Sequence, residues 1–167
     1  MKKGTLLLCL LTAIYCQAQV KTGTLVWKYP TQNKIATTPF VDSAHIYYGN
    51  DDGNFYCHAI SDGRLLWKYA AGKPIRSSAT VAEGKVYFGC EDGQVYALHA
   101  HTGALQWKFA TKGERNYDLW DYYRSSPVAH KGRVIIGSGD GNVYAIDAKN
   151  GQELWHFTTG VLSMPTR

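Results

Sequence analysis

One pattern recurs along the chain at nearly constant spacing, and it constrains the fold more than any other feature. Asp-Gly pairs begin at Asp52, Asp92 and Asp140, in steps of 40 and 48 residues. Two further series repeat these steps: Trp27, Trp67, Trp107 and Trp155, and Gly23, Gly63, Gly103 and Gly151. A period near 40 residues that is built from short apolar runs predicts a β-propeller whose blades contain four strands each.

The repeats predict three complete blades, at about 35–69, 75–109 and 124–157. Each blade is expected to begin with an inner strand of small residues, at 35–41, 75–81 and 124–129. The other strands are predicted at 45–49, 54–59 and 65–69, at 85–89, 94–99 and 104–109, and at 133–137, 142–147 and 153–157. An isolated outer-type strand at 24–29 precedes the blades, and an inner-type strand at 161–167 follows them. The predicted fold class is therefore all-β, a partial β-propeller of about three four-stranded antiparallel blades with a leading outer strand and a trailing inner strand.

The repeated residues each have a mechanical role in such a fold. Glycine after aspartate accepts the positive φ that a hairpin turn demands. Large rings at matched positions can fill the wedge between neighbouring sheets, and a buried aromatic side chain covers about 150–250 Å². We therefore expect the repeat residues to be structural, namely Trp27, Trp67, Trp107, Trp155, Gly63, Gly103 and Gly151.

The first 18 residues are typical of a secretory signal peptide. Lys2 and Lys3 precede an apolar run over 6–15, and small residues stand at the −3 and −1 positions of a cut after Ala18. The run is too short to cross a bilayer, and the bulky Tyr15 before Cys16 disfavours lipidation. We expect an exported protein, periplasmic or secreted, with no membrane span and with its mature domain at 19–167.

The charge balance gives little support to nucleic-acid binding. The formal charge of +5 falls to +3 once Lys2 and Lys3 are removed, and the chain has no run of Lys or Arg. A nucleic-acid surface requires a clustered basic patch. The 45% of hydrophobic residues is instead sufficient for a packed core.

Two cysteines, Cys57 and Cys90, belong to the mature part. Export permits a disulfide, but Cys57 lies within a predicted strand and Cys90 ends one beside a turn. A disulfide requires a narrow range of Cα separations, so pairing and two small buried thiols both stay open at this point.

The segment Ala145 to Trp155, Ala-x-Asp-x-x-Asn-Gly-x-x-x-Trp, resembles the repeat of quinoprotein-type (PQQ-like) β-propellers. Ala97 to Trp107 fits with His99 in place of the aspartate, and the similarity covers essentially the whole mature chain. That family includes quinoprotein alcohol dehydrogenases, which hold the quinone PQQ and calcium. It also includes BamB-like scaffold members, which hold neither. The resemblance therefore implies the fold and leaves the chemistry open.

An insertion of eight residues interrupts the repeat before the third blade, near 112–123. Strand alternation places it on the same face as the Asp-Gly hairpins. Tyr, Trp, Arg and Asn supply contact area and adaptable hydrogen bonds at binding surfaces, and loops on a rigid scaffold commonly carry recognition. The candidate partner-binding residues are Arg115, Asn116, Tyr117, Asp118, Trp120 and Tyr122; folding of these aromatics onto the propeller is the alternative.

Catalytic and metal sites have weaker support. Glu114, Asp118 and Asp121 lie close together, but they lack the spacing of a calcium loop. The histidines do not fall at zinc spacing. The dehydrogenases of the resembling family carry a vicinal cysteine pair over the quinone, and this chain has no adjacent cysteines. We therefore expect no catalytic residue, no metal and no cofactor, with PQQ and calcium only in the dehydrogenase alternative.

The function favoured by these patterns is a non-catalytic exported scaffold of the outer-membrane assembly-factor type. It would bind a protein or a small ligand through its loop face. The alternatives are a fragment of a PQQ-dependent quinoprotein dehydrogenase and a ligand-binding sensor ectodomain.

The blade count predicts self-association. Propeller rings have about four to eight blades, so we interpret the chain as a fragment of a longer parent or an incomplete gene product. As it stands, the third blade is expected to expose an apolar flank and the leading strand an unpaired edge. The isolated chain should self-associate or aggregate unless a second copy covers these edges. Size-exclusion chromatography with light scattering tests this, and a sharp monomer peak would contradict it.

Overall fold

A computed structural model describes residues 23–113 and 125–159 of the chain. These residues form twelve β-strands. They are β1 (Phe40–Val41), β2 (His45–Gly49), β3 (Asn54–Ala59), β4 (Leu65–Ala70), β5 (Thr80–Ala82), β6 (Lys85–Gly89), β7 (Gln94–His99), β8 (Leu105–Ala110), β9 (Val128–His130), β10 (Arg133–Gly137), β11 (Asn142–Asp147) and β12 (Glu153–Thr158).

The strands form three four-stranded antiparallel sheets in the order of the chain: β1 to β4, β5 to β8 and β9 to β12. The three registers are equivalent, since Cys57 pairs with Trp67, Ala97 with Trp107 and Ala145 with Trp155. In each sheet, a β-bulge follows directly after the residue that pairs with the tryptophan. The predicted all-β partial propeller of three four-stranded blades is therefore confirmed.

The second and third strands of each blade begin and end where the sequence predicts them. Alternating apolar residues between turn glycines define these strands, so their bounds can be predicted from the local sequence alone. Gly53, Gly93 and Gly141 of the Asp-Gly pairs have φ angles of 80°, 79° and 84°. Only glycine adopts this left-handed region without strain, which explains its recurrence.

The inner strands are shorter than predicted, and they begin later. In the first blade, β1 contains only Phe40 and Val41 instead of 35–41. The preceding hydroxyl residues bond elsewhere: Thr37 Oγ1 donates to the carbonyl of Gly49 at 3.1 Å, and the backbone N–H of Thr38 donates to Ser78 Oγ in the next blade at 2.8 Å. Side-chain hydrogen bonds thus replace the strand ladder at the start of the blade.

The leading segment also differs from its prediction. Residues 23–30 form no strand, because no neighbouring strand is available to pair with them among the described residues. Leu25 and Val26 are 73% and 78% exposed. Trp27 nevertheless occupies the place of an outer-strand tryptophan on the first blade. The predicted inner strand at 161–167 lies outside the described residues.

Two of the repeated tryptophans, Trp67 and Trp107, lie at the junctions between blades. Trp67 and Trp107 are 9% and 7% exposed, and they contact turn glycines of the following blade. The indole N–H of Trp67 donates to the carbonyl of Ala100 at 2.9 Å, and that of Trp107 donates to the carbonyl of Ala148 at 3.1 Å. The two apolar cores therefore lie between blades, one at each junction.

Cys57 and Cys90 are both buried and unpaired. Burial raises the pKa of each thiol to about 12, which keeps it protonated and unreactive at neutral pH. The structure thus decides for two small buried thiols and against a disulfide.

A membrane-spanning helix is not found in the part of the chain that the structure describes.

Alanine substitutions at two left-handed glycines should distinguish the blade junction from ordinary turn strain. A Cβ at Gly103 would lie 2.6 Å from the Trp67 ring, whereas a Cβ at Gly84 would meet open space; their φ angles are +70° and +73°. We expect Gly84→Ala to cost about 1–2 kcal/mol of unfolding free energy from backbone strain. Gly103→Ala should cost about 1–3 kcal/mol more from overpacking.

Urea unfolding of both variants, followed by circular dichroism, measures this difference. Equal losses of stability in the two variants would show that the indole contact does not hold the blades together.

Candidate binding face

The connections between strands form two opposite faces. We call the first the hairpin face; it carries the β2–β3, β6–β7 and β10–β11 hairpins and the connections from each outer strand to the next inner strand. We call the other the turn face; it carries the remaining turns of each blade. Loops on a rigid sheet scaffold are the usual location of binding residues, so each face is a candidate site.

Three aspartates brace the hairpin face in the same way. Oδ1 of Asp52, Asp92 and Asp140 accepts the backbone N–H two residues later, at 2.9–3.0 Å. Oδ2 of each accepts the hydroxyl of a buried tyrosine, Tyr56, Tyr96 or Tyr144, at 2.6, 2.5 and 2.6 Å. These carboxylates therefore stabilise the hairpins, and their two oxygens are already bonded.

An arginine links the first two hairpins near the inner strands. Arg76 Nε donates to Asp51 Oδ1 at 2.9 Å, and its Nη1 donates to Glu91 Oε1 at 2.8 Å. The Arg76 side chain is 45% exposed, so solvent weakens these ion pairs. The cluster fixes the position of a cation on the hairpin face more than it stabilises the fold.

Both flanks of the insertion are anchored to the third blade. The backbone N–H of Lys112 donates to Asp140 Oδ2 at 2.8 Å and to the hydroxyl of Tyr144 at 3.3 Å. On the far side, Ser125 Oγ accepts the backbone N–H of Gly137 at 3.1 Å. The insertion therefore leaves and rejoins the sheet on the hairpin face, between the second and third blades.

The candidate partner-binding residues Arg115, Asn116, Tyr117, Asp118, Trp120 and Tyr122 lie outside the described residues. So do Glu114 and Asp121 of the candidate metal cluster. What the structure adds is the placement of the segments on either side of them.

The Asp140 carboxylate accepts most of the hydrogen bonds in this region. Burial acts against its charged form. Hydrogen bonds from Tyr144, Asn142 and Lys112 nevertheless outweigh burial and hold the pKa of Asp140 below its ordinary value of 3.8. Burial, together with the same Asp140 contact, raises the pKa of Tyr144 to about 12. At neutral pH the pair is therefore a carboxylate and a neutral phenol.

Three histidines gather on the turn face, where the first blade meets the second. The His101 ring lies 5.4 Å from that of His45 and 5.9 Å from that of His99, between centroids. Asp42 Oδ1 lies 3.1 Å from Nδ1 of His45. Across the described ranges, no group of three or more His, Cys, Asp or Glu residues is arranged to hold a metal ion.

His58 has a structural role. It is 1% exposed, its Nδ1 lies 2.9 Å from the carbonyl of Gly63, and its Nε2 lies 3.1 Å from the hydroxyl of Tyr48. Both ring nitrogens are thus engaged inside the first blade, and His58 is not available as a ligand.

Sequence reasoning missed the Arg76 cluster and the Asp42–His45 pair. Asp51 and Glu91 occupy equivalent repeat positions, so an arginine between two such acidic positions was an available signal for the cluster. The Asp42 pair had a weaker signal, namely Ala44 where the other blades have Gly84 and Gly132. Asp42 Oδ1 accepts the backbone N–H groups of Ala44 and His45 there, and this replaces a glycine turn.

The chain matches one protein-family model over residues 14–165, that of the outer membrane protein assembly factor BamB. No curated protein sequence matches the chain.

Solved structures share the fold. BamB from Moraxella catarrhalis is 22% identical, with a TM-score of 0.69 over 82% of this chain and 41% of that one. The quinohemoprotein alcohol dehydrogenase ADHIIG from Pseudomonas putida HK5 is 29% identical, with a TM-score of 0.63 over 78% of this chain and 21% of that one. The computationally designed Ika4 protein is 20% identical, with a TM-score of 0.66 over 81% of this chain and 79% of that one. The chain thus spans less than half the length of the two natural structures.

The lowered pKa of Asp140 predicts a pH dependence. A carboxylate whose pKa is lower in the folded state contributes stability above its unfolded pKa, and this contribution is lost as pH falls through the folded pKa. Unfolding free energy should therefore decrease below about pH 4. Asp140→Asn should have lower stability at pH 7 and a shallower decrease below pH 4.

Urea unfolding midpoints between pH 7 and pH 2.5 test this, with Asp62→Asn, an exposed carboxylate of the turn face, as the control. Parallel pH curves for wild type and Asp140→Asn would contradict the assignment.

Proposed function

The chain belongs to the family of the outer membrane protein assembly factor BamB, and from this premise we propose that it is an exported, non-catalytic scaffold. It binds a protein partner through the hairpin face, at the insertion between the second and third blades. The partner belongs to the machinery or the clients of outer-membrane protein assembly. The signal peptide predicted at 1–18 delivers the chain to the periplasm.

One observation carries this proposal: the insertion is the largest departure from a repeat that is otherwise regular. Two blade junctions are built alike, with the same indole, glycine and carbonyl contacts. Only the connection before the third blade is lengthened, by eight residues. Repetition explains the scaffold but not the insertion, so the insertion requires a separate role.

The surroundings of the insertion support a binding role. Its first flank is tied to Asp140 and Tyr144, and its second flank to Gly137. A segment whose two ends are fixed loses less entropy on binding than one with a free end. Tyr117, Trp120 and Tyr122 are residue types that dominate binding energy at protein interfaces.

A second function is supported by the 29% identity to the alcohol dehydrogenase ADHIIG. In that alternative the chain is part of a PQQ-dependent enzyme, and PQQ and calcium are its cofactors. The same fold occurs in BamB and in the dehydrogenase, so fold alone assigns neither function. Turnover of alcohol with dye reduction, after addition of PQQ and calcium, would favour the enzyme.

A photo-crosslinking residue placed on each face tests the scaffold function. With p-benzoylphenylalanine at Tyr117 or Trp120, we expect crosslinks in the envelope to an outer-membrane protein or to an assembly component. The same group at His101 of the turn face should give none of these products. Equal crosslinking from both faces, or none from the insertion, would contradict the proposal.

The affinity of each variant for the purified partner then measures how much the insertion contributes to binding. The variant Tyr117→Ala/Trp120→Ala should weaken binding by about tenfold or more, because aromatic anchors carry much of an interface's energy. His101→Ala, the matched aromatic substitution on the turn face, should stay within about twofold. Equal affinities of the two variants would place the binding surface elsewhere.

A further inference from the structure

A small cavity opens on the turn face, at the junction between the second and third blades. Its volume is about 40 Å³, which is enough for about three water molecules or for one small charged group. Ala82, Ala129 and Ala148 form part of its wall. The polar side chains that line it are Glu83, Tyr87, His130, Lys131 and Arg133. The cavity thus combines groups of opposite charge from two blades.

The two turns beside the cavity hold charged side chains in an unfavourable backbone conformation. Glu83 and Gly84 form a two-residue hairpin loop between β5 and β6. Lys131 and Gly132 form the equivalent loop between β9 and β10. Within the described residues, Glu83 and Lys131 are the two non-glycine residues with a positive φ, at 51° and 47°. Loops of this type favour asparagine, aspartate or glycine at that position, so the chain retains both charges at an energetic cost, as functional sites commonly do.

The charged groups around the cavity do not neutralise one another. Among the residues that the structure describes, no ion pair joins Glu83 to Lys131 or to Arg133, and none of these three side chains forms a hydrogen bond. A carboxylate and two cations therefore line the same small space without closing over it. Because all three residues are exposed, solvent weakens each contact that they make with a ligand.

The hydroxyl of Tyr87 is a further group that can bond to a ligand. Tyr87 is buried, and its hydroxyl lies 3.5 Å from the carbonyl of Ala148, which is longer than an ordinary hydrogen bond between two oxygens. That carbonyl already accepts the indole N–H of Trp107 at 3.1 Å. Burial and the nearby Glu83 carboxylate raise the pKa of Tyr87 to about 12, so at neutral pH the hydroxyl is an uncharged donor.

We propose that this cavity binds the head group of a free amino acid. The ligand carboxylate lies at Lys131 and Arg133, with the Tyr87 hydroxyl as a further donor, and the ligand ammonium group lies at Glu83. A zwitterion supplies both charges that the cavity leaves unpaired, whereas Glu83 repels a simple anion and the two basic side chains repel a simple cation.

The size and place of the cavity define the proposal further. The cavity has room for the head group alone, so the ligand side chain extends into solvent and contributes little to selectivity. The proposal does not rest on the proposed function, because the cavity and the insertion are on opposite faces.

Solution NMR of the isotope-labelled full chain tests this with three small probes: glycine, acetate and glycinamide. Glycine should shift the amide resonances of Gly84 and Gly132 in a saturable way, with a Kd in the millimolar range, because the ion contacts are exposed. Acetate lacks the ammonium group and glycinamide lacks the carboxylate, so each should bind at least about fivefold more weakly. A response to glycine that does not saturate, or equal affinities for glycine and acetate, would overturn the proposal.

Lys131→Asn separates the site from the fold. It removes an ammonium group and introduces a residue that the loop favours, so it should weaken glycine binding about fivefold while the urea midpoint stays the same or rises. Lys149→Asn is the matched control, because Lys149 is an exposed lysine of another turn in the same blade and does not line the cavity. It should leave glycine binding unchanged. Equal losses of affinity in the two variants would show an effect of net charge alone and overturn the proposal.

Glu83→Asn tests the ammonium position in the same way. The variant should remain folded, since asparagine is favoured in this loop, and it should lose the preference for glycine over acetate. A preference of unchanged size would show that Glu83 does not contact the ligand, and the zwitterion assignment would then be wrong.

Discussion

The structure depends on a close approach between an indole and a left-handed glycine. At three places a Cβ on the glycine would lie 2.5–2.8 Å from the ring of a tryptophan, so a side chain cannot be accommodated there. The indole N–H then reaches the carbonyl three residues before that glycine, at 2.9–3.1 Å. Shape and hydrogen bonding thus act together: the missing side chain lets the ring approach, and the carbonyl fixes its orientation. Since the polar N–H is satisfied, the whole ring can be buried at little cost.

This junction makes the fold modular. Each of the two apolar cores lies between a pair of neighbouring blades. The stacked rings of Phe55 and Phe88, whose centroids are 4.2 Å apart, are one example of contact across such a junction. In repeat proteins of this kind, stability is approximately a sum of blade terms and neighbour terms. The number of blades is therefore not fixed by the blades themselves.

The sequence predicts those parts of the fold that are determined locally. Strands β2 and β3 and their counterparts follow from alternating apolar residues between turn glycines, and their bounds agree with the structure. The inner strands were overestimated because Thr37 and Thr38 bond through side-chain hydroxyls and to another blade. The local sequence around Thr37 and Thr38 does not show which distant residues they will bond to. Residues 24–29 carry a strand pattern, but a strand also requires a neighbour to pair with. For the candidate site, the face could be predicted from strand alternation, whereas the anchoring of Lys112 by Asp140 depends on a contact over 28 residues.

Residues that depart from the repeat are the candidates for function in this chain, whereas residues that recur in every blade build the fold. The Asp–Tyr pairs recur in every blade with nearly equal distances, so they explain hairpin geometry and cannot confer specificity. Arg76, in contrast, bonds to Asp51 and Glu91, whereas the third blade has Gly139 at the equivalent position. At this position the hairpin face therefore carries a carboxylate bonded to Arg76 in the first two blades and none in the third, next to the insertion. The asymmetry of this face thus comes from departures from the repeat, namely Gly139 and the eight-residue insertion. The indole contacts at the junctions use none of the hairpin-face residues, so residues on that face can differ without altering those contacts.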